Sequence, residues 1–462
     1  MLSLVKLFRE VIYLFIKLDD VENMQLSKLE NLYVKHYNSA FYELLKMNNA
    51  NIHFSSAQGI NLWDNKGNKY MDFLGGFGSL NLGHNNHLVI EALKKHFYEP
   101  NFLQQSINIY NGVLANDISF LTHGKLSVCS MTNCGTETVE EAIKLAYMYK
   151  KGGNIIYCSN AYHGKTLGSI SALGNKYKKN FPNFDKIFIK VPFGDVKALS
   201  RAIKKNNAAA FLVEPIQAEG GIVIPPQDYF KKVRALCDEH DVLLIMDEIQ
   251  TGIGRCGTMF CYEQFGIVPD IMCLSKSLSG GIIPLGCMAV KENIWNKVYG
   301  KLKNATLPDS TFGGNNLASV AAIESLTIVY EKKLYENAER LGMYALKKLN
   351  DLKKKHDLIT DVRGRGLLIG IEFGGLEKLR VEAVIKFMMS TIISKMLNEH
   401  KIICGFTGNT PGVLRFEPPL VVKREEIDYF VDSLDKVLSE ESSNMRLFID
   451  SAKNISSGLV SK

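Results

Sequence analysis

Short apolar runs recur between residues 125 and 290: SVCSM (127–131), NIIYC (154–158), IFIKV (187–191), AAFLVE (209–214), VLLIMD (242–247), DIMCL (270–274) and GCMAV (286–290). Between most of them the pattern changes to a helical period. Thr138–Lys150 places Val139, Ile143, Ala146 and Tyr147 on one face, and Tyr229–His240 does the same with Phe230, Val233 and Cys237. Strand and helix in alternation predict an α/β fold: a large domain with a mostly parallel, seven-stranded mixed sheet covered by helices on both faces. Only residues 275–285 separate the last two runs, and they include Gly280, Gly281 and Pro284. That is short for a helical crossover, so one strand is expected to run antiparallel.

Beyond residue 315 a long helical pattern leads into GRGLLIGIEF (364–373), which reads as a strand, and to a final helix near Glu425–Leu438. These predict a second, smaller α+β domain. The expected organisation is a helical extension with part of the small domain over 1–85, the large domain over 86–325, the small domain over 326–440 and a tail over 441–462.

A chain of 462 residues with 46% hydrophobic content is long enough for one large core and a smaller one. The net charge of +7 is small for this length, and Lys and Arg are dispersed rather than gathered in a stripe with aromatics, which argues against a nucleic-acid partner. Nine cysteines, an odd number with no CxxC pair, point to a reducing cytoplasm. Cys256 and Cys261 lack companions at zinc spacing, so no metal site is expected. In residues 1–20 the longest uncharged apolar stretch, Val11–Ile16, is too short for a membrane span, and Lys6, Arg9, Glu10 and Lys17 interrupt the segment at helical intervals. The expectation is an amphipathic helix docked on this protein or its partner subunit, and no membrane association.

The run Leu243–Met246 ends in Asp247 and Glu248. An isolated carboxylate at the end of a strand buried on both faces is costly unless a cation meets it. Ligands of open α/β sheets sit outside the carboxyl ends of the strands, where Lys276 follows DIMCL in LSKSLSGG. Burial lowers the pKa of such a lysine and frees its amine as a nucleophile. An acid and a lysine alone leave an ion pair or a Schiff-base enzyme equally open. The segment SMTNCGTETVEEA adds a strand end passing through Asn133, Cys134, Gly135 and Thr136 into a helix, a phosphate cradle without Walker spacing. Phosphate cradle, amine nucleophile and buried carboxylate together are the requirements of pyridoxal 5′-phosphate, whose protonated ring nitrogen would be the cation that Asp247 needs.

With these motifs in place the sequence resembles the class III (ω-amino acid) family of pyridoxal-phosphate-dependent aminotransferases, of fold type I, over roughly residues 50 to 435. The resemblance rests on an ordered set: YMDFLGGFGSLNLGH (70–84), NCGTETVEEAIKLA, AYHGKTLG (161–168), VEPIQAEGG (213–221), MDEIQTGIGRCG (246–257), LSKSLSGG, STFGGN (310–315) and LRFEPPL (414–420). It implies that Lys276 holds the cofactor covalently and then moves the substrate proton, and that Asp247 pairs with the ring nitrogen. Gln250 would contact the ring hydroxyl, Tyr162 would stack on the ring with His163 beside it, and Gly135 and Thr136 would hold the phosphate. Thr311 would reach the phosphate of the neighbouring subunit, which implies a homodimer with a shared active site. The family usually has Ser where this chain has Cys134, so one hydroxyl donor is missing.

The resemblance further implies a substrate carboxylate on Arg415, with Glu219 pairing with that arginine when the amine donor has no carboxylate there. Segments such as FLGGFGSLNLGH, VPFGDVKAL and EPIQAEGGIVIPP are most similar to the putrescine aminotransferases. This implies a small-molecule diamine donor and an oxo-acid acceptor, 2-oxoglutarate. The alternatives are an ornithine, acetylornithine or other ω-amine or amino-acid aminotransferase of the same family, or a racemase or aminomutase on the same scaffold, and a non-catalytic pyridoxal-phosphate protein is a further reading. Gly76, Gly78 and Gly83 lack GxGxxG spacing, so no nicotinamide site is expected. His84 reads as a packed turn residue, Glu248 as fixing local structure, Arg255 as bracing the loop after Asp247, and Lys176, Lys178 and Lys179 as a solvated face.

Overall fold

The computed structural model describes residues 15–100, 106–174, 181, 186–374 and 382–440. Most of the expected N-terminal helix, the three lysines at 176–179 and the tail lie outside these residues. The described residues up to His53 form a unit of their own, with helices Leu18–Glu22, Leu26–His36 and Ser39–Met47. The described residues from Phe54 onward form a second, much larger unit.

That larger unit opens with three strands, β1 (Phe54–Gln58), β2 (Asn61–Asp64) and β3 (Lys69–Asp72). The seven apolar runs follow as β4 (Val128–Thr132), β5 (Asn154–Cys158), β6 (Phe188–Val191), β7 (Ala208–Val213), β8 (Leu243–Asp247), β9 (Ile271–Leu274) and β10 (Gly286–Val290). All seven share one sheet, ordered β4-β10-β9-β8-β7-β5-β6. β10 is antiparallel to both its neighbours, and the pairs from β9 through β6 are parallel. The expected mixed sheet is present, and the 275–285 connection makes its return with a short 3-10 turn at Lys276–Ser279.

The sheet is covered on both faces. Along β8, Leu244 and Met246 belong to one core while Leu243 and Ile245 belong to another. Alternate side chains on a strand point to opposite faces, so only a run apolar at every position satisfies both layers. Each such side chain contributes about 1.5–3 kcal/mol by burial. Helix Gly135–Lys150 buries Val139, Ile143 and Ala146, and helix Tyr229–Glu239 buries Phe230, Val233 and Cys237. Tyr147, expected on the buried face, is 43% exposed.

The long helical pattern after residue 315 resolves into two helices, Asn316–Glu331 and Leu334–Lys355, broken where Lys333 takes a left-handed φ of 49°. GRGLLIGIEF is not a single strand. It forms the turn of a hairpin between β11 (Ile359–Arg365) and β12 (Leu368–Phe373), with Gly366 at φ 52° between them. A Cβ at Gly366 would lie 2.5 Å from the carbonyl oxygen of Arg255, so glycine is required on two counts. Helix Glu382–Asn398 and strands β13 (Ile402–Ile403), β14 (Gly405–Phe406) and β15 (Val413–Phe416) follow, then a helix over 424–440. β13 joins β1–β3 in a four-stranded sheet, and β11, β12, β15 and β14 form an antiparallel one.

Candidate active site

Three adjacent strands bring polar groups to one edge of the sheet. β7 ends at Val213 and is followed by Glu214, β8 ends in Asp247, and Lys276 lies two residues beyond β9. All three side chains border one cavity of about 530 Å³, a volume within the usual range for small-ligand sites. Lys276 holds a left-handed φ of 47°, uncommon for a residue with a Cβ and a mark of a position fixed by its surroundings.

Asp247 is buried, and its Oδ2 lies 2.7 Å from Nδ1 of the equally buried His163. Its Oδ1 accepts the backbone N–H of Ile249 at 3.1 Å. Nε2 of His163 has no hydrogen-bond partner among the described residues. Glu248 turns away from the cavity: it accepts Thr251 Oγ1 at 2.6 Å and the backbone N–H groups of Cys261 and Tyr262 at 3.1 and 2.7 Å. Of two adjacent carboxylates, one serves the cavity and the other the loop behind it.

From Lys276 a chain of polar contacts runs into the interior. Nζ donates to Oε1 of Gln250, and Nε2 of Gln250 donates to both oxygens of Glu417 at 2.8 and 3.0 Å. Glu417 meets Nη1 of Arg415 at 3.4 Å, and Nη2 of Arg415 forms an ion pair with Oε1 of Glu219. Glu219 also accepts the backbone N–H of Gly408 at 2.7 Å. Arg415 and Glu417 are fully buried, whereas the Glu219 side chain is 17% exposed. Nε of Arg415 has no hydrogen-bond acceptor among the described residues.

Burial lowers the pKa of Lys276 against the pull of Glu417 and Glu219. For Glu219, burial pushes upward but is outweighed by Arg415 and the Gly408 N–H, and the carboxyl is held below its ordinary value. Glu214 is pushed up to about 7 by burial, although the positive field of His163 opposes this. Its two oxygens accept the backbone N–H groups of Tyr162 and Ala218 at 3.0 and 3.1 Å.

Helix Gly135–Lys150 also begins at the cavity, and its N-cap Cys134 makes no side-chain capping bond. A Cβ at Gly135 would meet Cδ1 of Ile249 at 2.9 Å, so the helix start can approach the cavity wall this closely only as glycine. The Thr136 hydroxyl meets those of Thr166 and Ser169 at 2.8 and 2.7 Å.

Eight of the ten residues named from the sequence therefore border one cavity: Gly135, Thr136, Tyr162, His163, Glu219, Asp247, Gln250 and Lys276. Arg415 joins them through Glu219. Thr311 does not: it is exposed and borders a separate cavity of about 330 Å³. Glu214 and Glu417 were not singled out. Glu214 ends the apolar run AAFLVE as Asp247 ends VLLIMD, so the same strand-end argument would have found it.

The sequence description of the class III aminotransferases matches residues 45–438. A putrescine aminotransferase of Pectobacterium atrosepticum is 37% identical over 395 residues, covering 83% of this chain and 81% of that protein. Aminotransferase PigE of Serratia sp. is 34% identical over 454 residues, covering 89% of this chain but only 53% of its own length, so the chain spans about half of that relative. Among solved structures, an ornithine aminotransferase of Toxoplasma gondii with partial occupancy of PLP at its active site aligns with a TM-score of 0.77 at 31% identity, covering 92% of this chain and 100% of that one. The chain belongs to the class III aminotransferase family, an α/β enzyme of fold type I. It is a pyridoxal-phosphate-dependent transaminase. The cavity fits that cofactor: a lysine, a buried carboxylate with its own histidine and an uncapped helix start surround one space of suitable size.

Proposed function

We propose that the enzyme moves the terminal amino group of a diamine, putrescine or cadaverine, to 2-oxoglutarate, giving an aminoaldehyde and glutamate, as a cytoplasmic homodimer with a shared active site. Bound pyridoxal phosphate supplies an aldehyde that captures the amine and an electron-poor ring that spreads the charge left when the neighbouring carbon loses its proton. The first turn of helix Gly135–Lys150, with Gly135 and Thr136, holds the phosphate. Tyr162 would pack against the ring, Asp247 would favour a protonated ring nitrogen, and His163 orients that carboxylate. Lys276, its amine made accessible by burial, would hold the cofactor and, once released, take and return the substrate proton at its Nζ.

The observation that carries the choice of substrates is the ion pair of Arg415 with Glu219, in which a fully buried guanidinium keeps its Nε without an acceptor among the described residues. With Glu219 in place, Arg415 offers no net charge to a donor that lacks a carboxylate. With Glu219 turned out, the fork is open to a carboxylate of the oxo acid. The likeness to a putrescine aminotransferase supports this reading. A second reading, an ornithine or acetylornithine aminotransferase, is supported by the likeness to solved ornithine and acetylornithine enzymes.

The test follows the cofactor absorbance of the purified holoenzyme while putrescine, cadaverine, ornithine, acetylornithine and 4-aminobutyrate are added separately, followed by 2-oxoglutarate. Conversion by the diamines, reversed by the oxo acid, is expected. Conversion only by carboxylate-bearing donors would move the enzyme to the second reading.

A further inference from the structure

The contact chain from Lys276 to Glu219 contains two potential cations, Lys276 and Arg415, and two carboxylates, Glu417 and Glu219, joined through the neutral amide of Gln250. With Lys276 protonated the four charges cancel. Taken without Lys276, the cluster Glu219–Arg415–Glu417 sets two carboxylates against one guanidinium and carries one surplus negative charge in a buried setting. A buried surplus charge is unfavourable until an opposite charge meets it.

The two carboxylates are not equivalent. Glu219 is the more exposed and is held on its second oxygen by one backbone N–H, from Gly408. Glu417 is fully buried, both its oxygens take bonds from Gln250, and glycine at 78 makes room for it there: a Cβ at Gly78 would lie 2.5 Å from Oε1 of Glu417. Of the two carboxylates, Glu219 is the one with room to swing away from Arg415, and Glu417 is the more firmly held.

Resting on the aminotransferase reading above, we infer that Glu417 is the fixed anion that makes this site select amine donors with a cationic distal end. The distal ammonium of a diamine meets the surplus negative charge of this cluster. A donor ending in a carboxylate adds to the surplus and requires Glu219 to leave. During the acceptor half of the cycle Glu219 leaves in any case, and Glu417 remains to hold Arg415 in place for the oxo acid. Glu219 therefore governs which half-reaction proceeds, and Glu417 governs which donors compete.

The test compares wild type with Glu417→Gln, which keeps the shape and removes the charge, and Glu417→Asp, which keeps the charge and shortens the reach. Steady-state constants are measured for putrescine and 4-aminobutyrate, and binding of the unreactive dicarboxylate glutarate is measured by calorimetry. In Glu417→Gln, kcat/KM for putrescine is expected to fall about 10- to 100-fold, mostly through KM, as for loss of one partner of a buried charge pair. The constant for 4-aminobutyrate should hold or rise, and glutarate should bind more tightly. Glu417→Asp should keep the preference for the diamine even where its rates fall, and it carries the test if Glu417→Gln does not fold. An equal loss for both donors, or an unchanged preference in Glu417→Gln, would overturn the role of Glu417 while leaving a diamine-using wild type intact. A wild type that accepts only carboxylate-bearing donors would overturn the diamine reading itself.

Discussion

Asp247 and His163, 84 positions apart in sequence, meet through a 2.7 Å contact between Oδ2 and Nδ1 with both side chains buried. A carboxylate so placed is tolerable because the histidine donates its Nδ1–H to it and an N–H of the next turn satisfies the other oxygen. Replacing Asp247 with Asn keeps the volume and removes the charge that a ring cation would face, a change of about 3–5 kcal/mol when one partner of a buried pair is lost. The holoenzyme is expected to lose cofactor affinity and at least about 100-fold in kcat. Equilibrium dialysis of pyridoxal phosphate and single-turnover rates check this, and wild-type values in both would place Asp247 away from the ring.

Glu214 sets a pH dependence of stability. Its carboxyl is pushed from an ordinary value of 4.5 up to about 7, chiefly by burial. In the window between those values the folded state binds more protons than the unfolded chain, so stability must fall as pH rises. The contribution is fully present below about 4.5 and is lost as pH rises through about 7. Glu248, raised to about 7 by burial as well, adds to the same slope. Glu214→Gln turns an amide N–H₂ toward a backbone donor and should be less stable than wild type at pH 5, with the deficit shrinking toward pH 8. Thermal melts across that range decide, and parallel curves would remove Glu214 from the slope.

Arg255 is fully buried and ties three distant segments together. Nη2 donates to Oδ1 of Asn81 at 2.5 Å, and Nη1 donates to the carbonyls of Pro418 at 2.5 Å and Leu367 at 3.1 Å. It braces far more than the loop that follows Asp247. Arg255→Met leaves these acceptors without their donor, at about 1–3 kcal/mol for each group left unsatisfied. A lowered denaturation midpoint with the donor preference retained is expected. Denaturant titration beside steady-state assays would reveal the opposite outcome, intact stability with altered specificity.

The parts of this architecture that could be read from the chain are those that obey local rules. β7, β9 and β8 up to Met246 are apolar at every position because both faces are covered, and Asp247 and Lys276 fall where such runs stop. Elements whose form depends on distant contacts were not legible. Gly366 turns a stretch read as one strand into a hairpin partly because the backbone of Arg255 packs against it, and the break at Lys333 has no glycine or proline to announce it. Glu417 becomes interesting only when Gln250, 167 positions away, is placed against it. The sequence motif LRFEPPL directs attention to Arg415, whereas the folded chain puts equal weight on the acid two residues later.

Thr311 provides the test of the shared site. It is exposed and borders a cavity other than the one around Lys276, so a role at the cofactor phosphate requires a second subunit. In a two-fold symmetric dimer of that kind each site combines Lys276 of one protomer with Thr311 of the other. Lys276→Ala should be inactive yet folded, and Thr311→Ala should bind pyridoxal phosphate weakly. Unfolding and refolding the two variants together at equal amounts makes half the dimers mixed, and each mixed dimer contains one site with both residues intact. Activity at limiting cofactor should then rise to about a quarter of wild type, above the mean of the separate variants. If both residues served the same chain's site, no mixed dimer would contain a site better than that of Thr311→Ala alone, and mixing would give only the average. Sedimentation of each variant alone separates this outcome from a failure to dimerise.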